Sequence, residues 1–131
     1  MKIDYIDLKE GNIRVKENVL NKISDVIDSG NFIGTKYHEE FENNFSGWLK
    51  KLSNNPLENY VIGVSSGTTA LEVALRCLDI GPGDEVIIPA IGWVVDASVA
   101  LSVGARPVFC DVEPESLNID HYQVEKKITE K

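Results

Sequence analysis

The chain reads as an α/β protein: N-terminal helices, then a β-α-β-α-β-α alternation forming a parallel sheet. Three observations predict this. Apolar residues recur at helical spacing through the first half of the chain. From residue 60 onward, short apolar runs alternate with small amphipathic segments. Glycine and proline mark most of the junctions between them, and such an alternation builds parallel strands covered by helices.

Val15, Val19, Leu20, Ile23, Val26 and Ile27 lie on one face of a first helix, and Gly30 stands where a C-terminal glycine ends such a pattern. After Phe32-Ile33-Gly34, a second helix places Tyr37, Phe41, Phe45, Trp48, Leu49 and Leu52 together, and Ser53-Asn54-Asn55-Pro56 closes it. Residues 1–59 thus form an N-terminal helical segment. Residues 60–131 form the alternating part. Its strands are expected at 60–64, 85–89 and 107–112, and its helices at 68–78 and 93–103. Crossovers between parallel strands are expected to be right-handed. Gly81-Pro82-Gly83-Asp84 and Gly104 are the stops, and Asp120 caps a last helix running toward Lys131. The alternation calls for a further strand there, so the chain reads as the N-terminal piece of something longer.

At 131 residues and 43% hydrophobic, the chain can build a core of one domain. Thirteen basic against twenty-one acidic residues give a net charge of −8, with no basic patch. Binding to nucleic acid or to an anionic membrane is therefore not expected. No apolar stretch is long enough to span a bilayer, and Met1-Lys2-Ile3-Asp4 lacks the apolar segment of a secretory signal. Cys77 and Cys110 show no metal-like spacing. They are expected to be reduced core thiols of a cytoplasmic protein. His38 and His121 read as surface residues.

The run Val61-Ile62-Gly63-Val64-Ser65-Ser66-Gly67-Thr68-Thr69-Ala70-Leu71 carries the chemistry. It reads as a strand, a turn of small hydroxyl residues and the start of a helix. An open helix start offers unpaired amides and the positive end of the backbone dipole, which together attract anions. Gly67 lets a ligand approach the backbone, and the hydroxyls add hydrogen bonds. The same residues could equally be ordinary caps of a helix. No GxxxxGK[ST] and no GxGxxG occurs, so a phosphate held here is not that of a nucleoside triphosphate or a dinucleotide. The second candidate segment is Pro89-Ala90-Ile91-Gly92-Trp93. Ligands of open α/β sheets lie beyond the carboxyl ends of strands. Both turns are expected at that edge, and an aromatic ring there can stack on a flat heteroaromatic ligand. Trp93 reads equally as core or an interface anchor.

Taken in order, several segments resemble one family. They are Gly34 with Phe41-Glu42, Ser65-Ser66-Gly67-Thr68-Thr69-Ala70-Leu71, Gly81-Pro82-Gly83-Asp84-Glu85-Val86-Ile87, residues 89–93, Gly104-Ala105-Arg106-Pro107-Val108, and Asp111-Val112 with Asn118-Ile119-Asp120. The chain resembles the N-terminal part of the DegT/DnrJ/EryC1/StrS nucleotide-sugar aminotransferases, fold-type-I enzymes that use pyridoxal 5′-phosphate. The resemblance implies an incomplete large domain of that fold. It implies that Gly67, Thr68 and Thr69 hold the cofactor phosphate and that Trp93 stacks on its ring. Gly92 departs from the Thr or Ser common before the aromatic residue, and Asp96 and Ser98 stand where Thr and Asn are frequent. Asp96 reads as a helix-surface or supporting residue rather than a catalytic acid.

The resemblance also implies a lysine that bonds the cofactor and an aspartate that pairs with its ring nitrogen, both expected beyond residue 131. Lys126, Lys127 and Lys131 do not fill that role, so no catalytic residue is expected within the chain and the isolated piece is expected to be inactive. The implied partners are a nucleotide-linked keto sugar and an amino donor, glutamate by preference, in a cytoplasmic homodimer serving sugar or polysaccharide synthesis. No metal is expected. Three alternatives stay open: a cofactor-dependent sugar dehydratase of the same family, a truncated non-catalytic remnant, and an unrelated phosphate-binding module.

Overall fold

The computed structural model describes residues 5–53 and 60–130. The chain divides into two compact units, Met1–Gly63 and Val64–Lys131. The expected Asn54-Asn55-Pro56 turn lies outside the described residues.

The first unit is helical. Helix α1 spans Leu8–Ser29 and helix α2 spans Lys36–Ser53. Asp7 caps α1 by accepting the Lys9 amide at 3.0 Å. Gly30 ends α1 in the left-handed region, with its amide on the Ile27 carbonyl. The aromatic stripe expected on α2 is present, with Phe41 against Phe45 and Phe45 against Trp48 at centroid separations of 5.7 and 5.3 Å. No residue of α1 is buried.

In the second unit, helix α3 spans Gly67–Cys77, strand β1 Glu85–Pro89, helix α4 Val95–Ser102, strand β2 Arg106–Cys110 and helix α5 His121–Lys127. The strands run parallel in the register Glu85↔Arg106 to Pro89↔Cys110. The Arg106 amide on the Asp84 carbonyl and the Ala90 amide on the Cys110 carbonyl extend the ladder at both ends. Helix α4 connects the strands and packs on α3 and on both strands. The core lies between sheet and helix, in Ile88, Val99, Ala100, Val103, Ala105 and Cys110. Burial of these apolar side chains removes them from water and stabilises the β-α-β unit.

Several expectations are corrected. Residues 60–64 form no strand. Among the described residues no strand is available to pair with them, and the Gly63 amide goes to the Glu42 carboxylate. Among the described residues the sheet therefore has two strands, β1 and β2, not three. Strand β2 stops at Cys110, because the Asp111 carboxylate accepts the Val112 amide and Val112 bridges Ile119 antiparallel. Helix α4 begins two residues after Trp93, which belongs to the preceding turn. Helix α5 ends at Lys127, where Ile128 turns extended and the Thr129 hydroxyl donates to Glu85. Cys110 is buried, whereas Cys77 is exposed and so is not a core thiol.

Candidate functional site

The start of α3 is built by its own sequence. Ser66 is extended and serves as N-cap, its Oγ accepting the Thr69 amide at 3.2 Å, while its carbonyl accepts the Ala70 amide at 3.0 Å. That leaves the amides of Gly67 and Thr68. Among the described residues, no group accepts either of them. Such amides at a helix start carry the positive end of its dipole.

The hydroxyls form a small cluster. Thr69 Oγ1 lies 3.0 Å from Ser65 Oγ and 3.1 Å from Ser66 Oγ. Ser65, Ser66, Gly67 and Thr68 are exposed, and a Cβ placed on Gly67 would meet nothing within 4 Å. The arrangement suits an anion whose oxygens take two amides and one or more hydroxyls. No lysine or arginine stands at residues 65–69 or 89–94, so what these two turns themselves offer an anion is amides, hydroxyls and the helix dipole. Gly67, Thr68 and Thr69, the residues expected to hold the cofactor phosphate, lie together at this helix start, and the Ser65 and Ser66 oxygens contact Thr69 there.

Trp93 is 77% exposed, in the turn after β1. Its carbonyl accepts the Asp96 amide at 3.1 Å, fixing the turn ahead of α4. Helices α3 and α4 pack on each other, so both turns belong to one unit. Among the described residues, no hydrogen bond or ring contact joins Trp93 to the hydroxyl turn. Gly92 has a local reason to be glycine: a Cβ there would lie 3.1 Å from Asp96 Oδ2 and 3.4 Å from the Pro89 ring. Asp96 is therefore half-buried against the turn that carries Trp93. A side chain at position 92 and a carboxylate at 96 compete for the same space, a coupling that spacing along the sequence does not reveal.

His38 and His121 are surface groups, each 3.5 Å from a glutamate, Glu42 and Glu113 respectively. No helix among the described residues is long and apolar enough to cross a membrane.

Comparison with known proteins decides the lineage: residues 14–131 match the DegT/DnrJ/EryC1/StrS aminotransferase family. The chain belongs to that family. The hydroxyl turn and the Trp93 turn both fall within the matched span. Among curated members, the 3-oxo-glucose-6-phosphate:glutamate aminotransferase of Bacillus subtilis is 36% identical over 113 residues, covering 86% of this chain and 24% of that protein. The UDP-2-acetamido-2-deoxy-3-oxo-D-glucuronate aminotransferase of Pseudomonas aeruginosa is 32% identical over 127 residues, covering 97% of this chain and 33% of that protein. Among solved structures, NtdA from Bacillus subtilis with bound cofactor PMP superposes with a TM-score of 0.82 at 31% identity, covering 99% of this chain and 29% of that one. The chain thus spans about a quarter to a third of the length of these family members. The part of the DegT/DnrJ/EryC1/StrS fold that it contains takes in the N-terminal helices as well as the β-α-β unit.

Proposed function

We propose that the chain forms the cofactor-phosphate end of a pyridoxal 5′-phosphate-dependent aminotransferase that moves an amino group, from glutamate, to a keto group of a nucleotide-linked sugar. The reading is supported by the family and by the keto-sugar and glutamate chemistry named for its relatives. The observation that carries it is the open start of α3, where two unclaimed amides and a bonded hydroxyl cluster fit a phosphate dianion.

When bound, the cofactor supplies a ring that absorbs negative charge from the carbon that loses or gains nitrogen. The chain's own residues have simpler tasks. The Gly67 and Thr68 amides bind the phosphate, and the Thr69 hydroxyl, held by Ser65 and Ser66, adds a further donor. Trp93 offers a flat face on which the ring can stack. The Asp96 amide, donated to the Trp93 carbonyl, closes the turn that carries Trp93. No lysine stands at either turn, and Lys126 and Lys127 close α5. Covalent attachment of the cofactor is therefore assigned to none of these residues. A cytoplasmic homodimer in sugar or polysaccharide synthesis is the setting that this reading carries with it.

The test is a binding titration with pyridoxamine 5′-phosphate, which cannot condense with surface lysines, followed through tryptophan fluorescence in a Trp48→Phe background. Pyridoxamine, which lacks the phosphate, is the control. The phosphorylated ligand is expected to bind at least about tenfold tighter, since charge-assisted hydrogen bonds are the strong ones. In the Trp93→Ala variant, followed by calorimetry, both ligands are expected to weaken by about two- to tenfold, the usual worth of an aromatic stack. Equal affinity for the two ligands would sink the phosphate assignment.

A further inference from the structure

The hydroxyls at the start of α3 meet at one oxygen. Thr69 Oγ1 lies 3.0 Å from Ser65 Oγ and 3.1 Å from Ser66 Oγ. Thr69 is half-buried, and both serines are exposed. A hydroxyl has one proton to give and two lone pairs that accept. Ser66 Oγ already accepts the Thr69 amide at 3.2 Å, which leaves its proton to turn toward Thr69 Oγ1. Ser65 differs: among the described residues its hydroxyl bonds nothing but Thr69. Its rotor can therefore give its own proton to Thr69 or take the Thr69 proton. The two states present opposite polarities to a ligand. When both serines donate, the lone pairs of Thr69 Oγ1 are filled and its own proton is left for a ligand. When Ser65 accepts instead, the Thr69 proton is used inside the cluster and a lone pair faces out.

We propose that Ser65 is a positioning residue for the cofactor phosphate: its hydroxyl donates to Thr69 Oγ1 and so commits the Thr69 proton to a phosphate oxygen. This rests on the cofactor reading above. An anion at the helix start favours the order in which every proton points toward it, since a lone pair would meet its oxygens with like charge. Hydrogen bonds linked in one direction polarise one another, so the Ser65 proton strengthens a donor that Ser65 itself does not carry to the ligand. The Gly67 and Thr68 amides need no such help, because a backbone amide is always a donor. Thr69 is the member of the cradle whose polarity can reverse, and Ser65 sets it. The resulting cradle favours a phosphate that carries no proton, since that ligand accepts at every free oxygen. A serine that merely held the turn would affect pyridoxamine and its phosphate ester alike.

The experiment titrates the full chain with pyridoxamine 5′-phosphate and with pyridoxamine by calorimetry, across a cycle of Ser65→Ala, Thr69→Val and the two together. Thr69→Val is expected to weaken the phosphorylated ligand about tenfold, the worth of a hydrogen bond to a charged group. Ser65→Ala is expected to weaken it about threefold, because Ser65 acts through Thr69 and water replaces part of what it gives at an exposed position. In the Thr69→Val background, Ser65→Ala is expected to bring no further loss. Pyridoxamine affinity is expected to stay unchanged throughout, and Ser65→Thr, which keeps the hydroxyl, is expected to bind like wild type. Should Ser65→Ala fail to fold, Ser65→Cys keeps the size with only a weak donor, and the same loss is expected from it. A loss that persists without the Thr69 hydroxyl overturns the proposal, because Ser65 would then act on the ligand or the backbone directly. Equal weakening of both ligands in Ser65→Ala overturns it as well. A wild type with no preference for the phosphorylated ligand overturns the cofactor reading and this role with it. A wild-type preference that Ser65→Ala leaves whole removes the role of Ser65 alone.

Discussion

Ser66 Oγ accepts the Thr69 amide at 3.2 Å and lies 3.1 Å from the Thr69 hydroxyl. One side chain thus starts α3 and also orients a hydroxyl of the proposed phosphate cradle. The two roles separate by substitution. Ser66→Ala removes the cap and is expected to lower stability by about 1 kcal/mol, with weaker pyridoxamine 5′-phosphate binding. Ser66→Asp restores a capping oxygen and favours the helix dipole, but sets a negative charge beside the anion. Its thermal stability is expected to match wild type while ligand affinity falls below that of Ser66→Ala. Equal binding by the two variants in calorimetry would show that no anion sits at this helix start.

A second cap fixes the loop after β2. Asp120 Oδ1 accepts the amides of Tyr122 at 2.9 Å and Gln123 at 3.4 Å, while its own amide reaches the Asp111 carbonyl at 3.0 Å. Its carbonyl in turn accepts the thiol of buried Cys110 at 3.7 Å. Asp120→Ala is expected to cost about 1 kcal/mol in urea unfolding, and Asp120→Asn or Asp120→Ser a fraction of that, because both keep a capping oxygen. A loss as large in Asp120→Asn as in Asp120→Ala would mean that the charge, not the cap, matters.

Much of the second unit is legible in the sequence because local signals and packing agree there. Ser66 and Asp120 cap helices as their residue types demand, and Glu85–Pro89 is an apolar run between a Gly-Pro-Gly-Asp turn and a small-residue turn. The misread places are those where a long-range partner wins over local propensity. Residues 60–64 have strand-forming side chains, yet Gly63 gives its amide to Glu42, a residue no periodicity connects to it. Val112 looks like the end of a strand, but Ile119 pairs with it from across the loop. At the site, Gly67, Thr68 and Thr69 could be found from the helix-start pattern. The crowding of Gly92 by Asp96 could not, because it depends on a side-chain rotamer in the first turn of α4.

The hydroxyl of Tyr37 donates to Asp25 Oδ2 at 2.5 Å, tying α2 to α1. The Asp25 carboxylate accepts the phenolic proton and holds it, so Tyr37 titrates above its ordinary value of 10.0. Partial removal from water and the repulsion of a phenolate by Asp25 act in the same direction, and Lys36 opposes them. Lys22 and Lys36 lie over the ring at 4.3 and 4.9 Å from its centroid. A folded-state value raised above the unfolded one means that this contact contributes fully below pH 10 and is lost as pH rises through the higher folded value. The absorbance titration of the phenolates, taken as the difference between wild type and Tyr37→Phe, is expected to show one tyrosine ionising late. Asp25→Asn is expected to bring that tyrosine back toward the ordinary range. A difference curve centred near 10 in the wild type would mean that the Tyr37–Asp25 bond does not persist in solution.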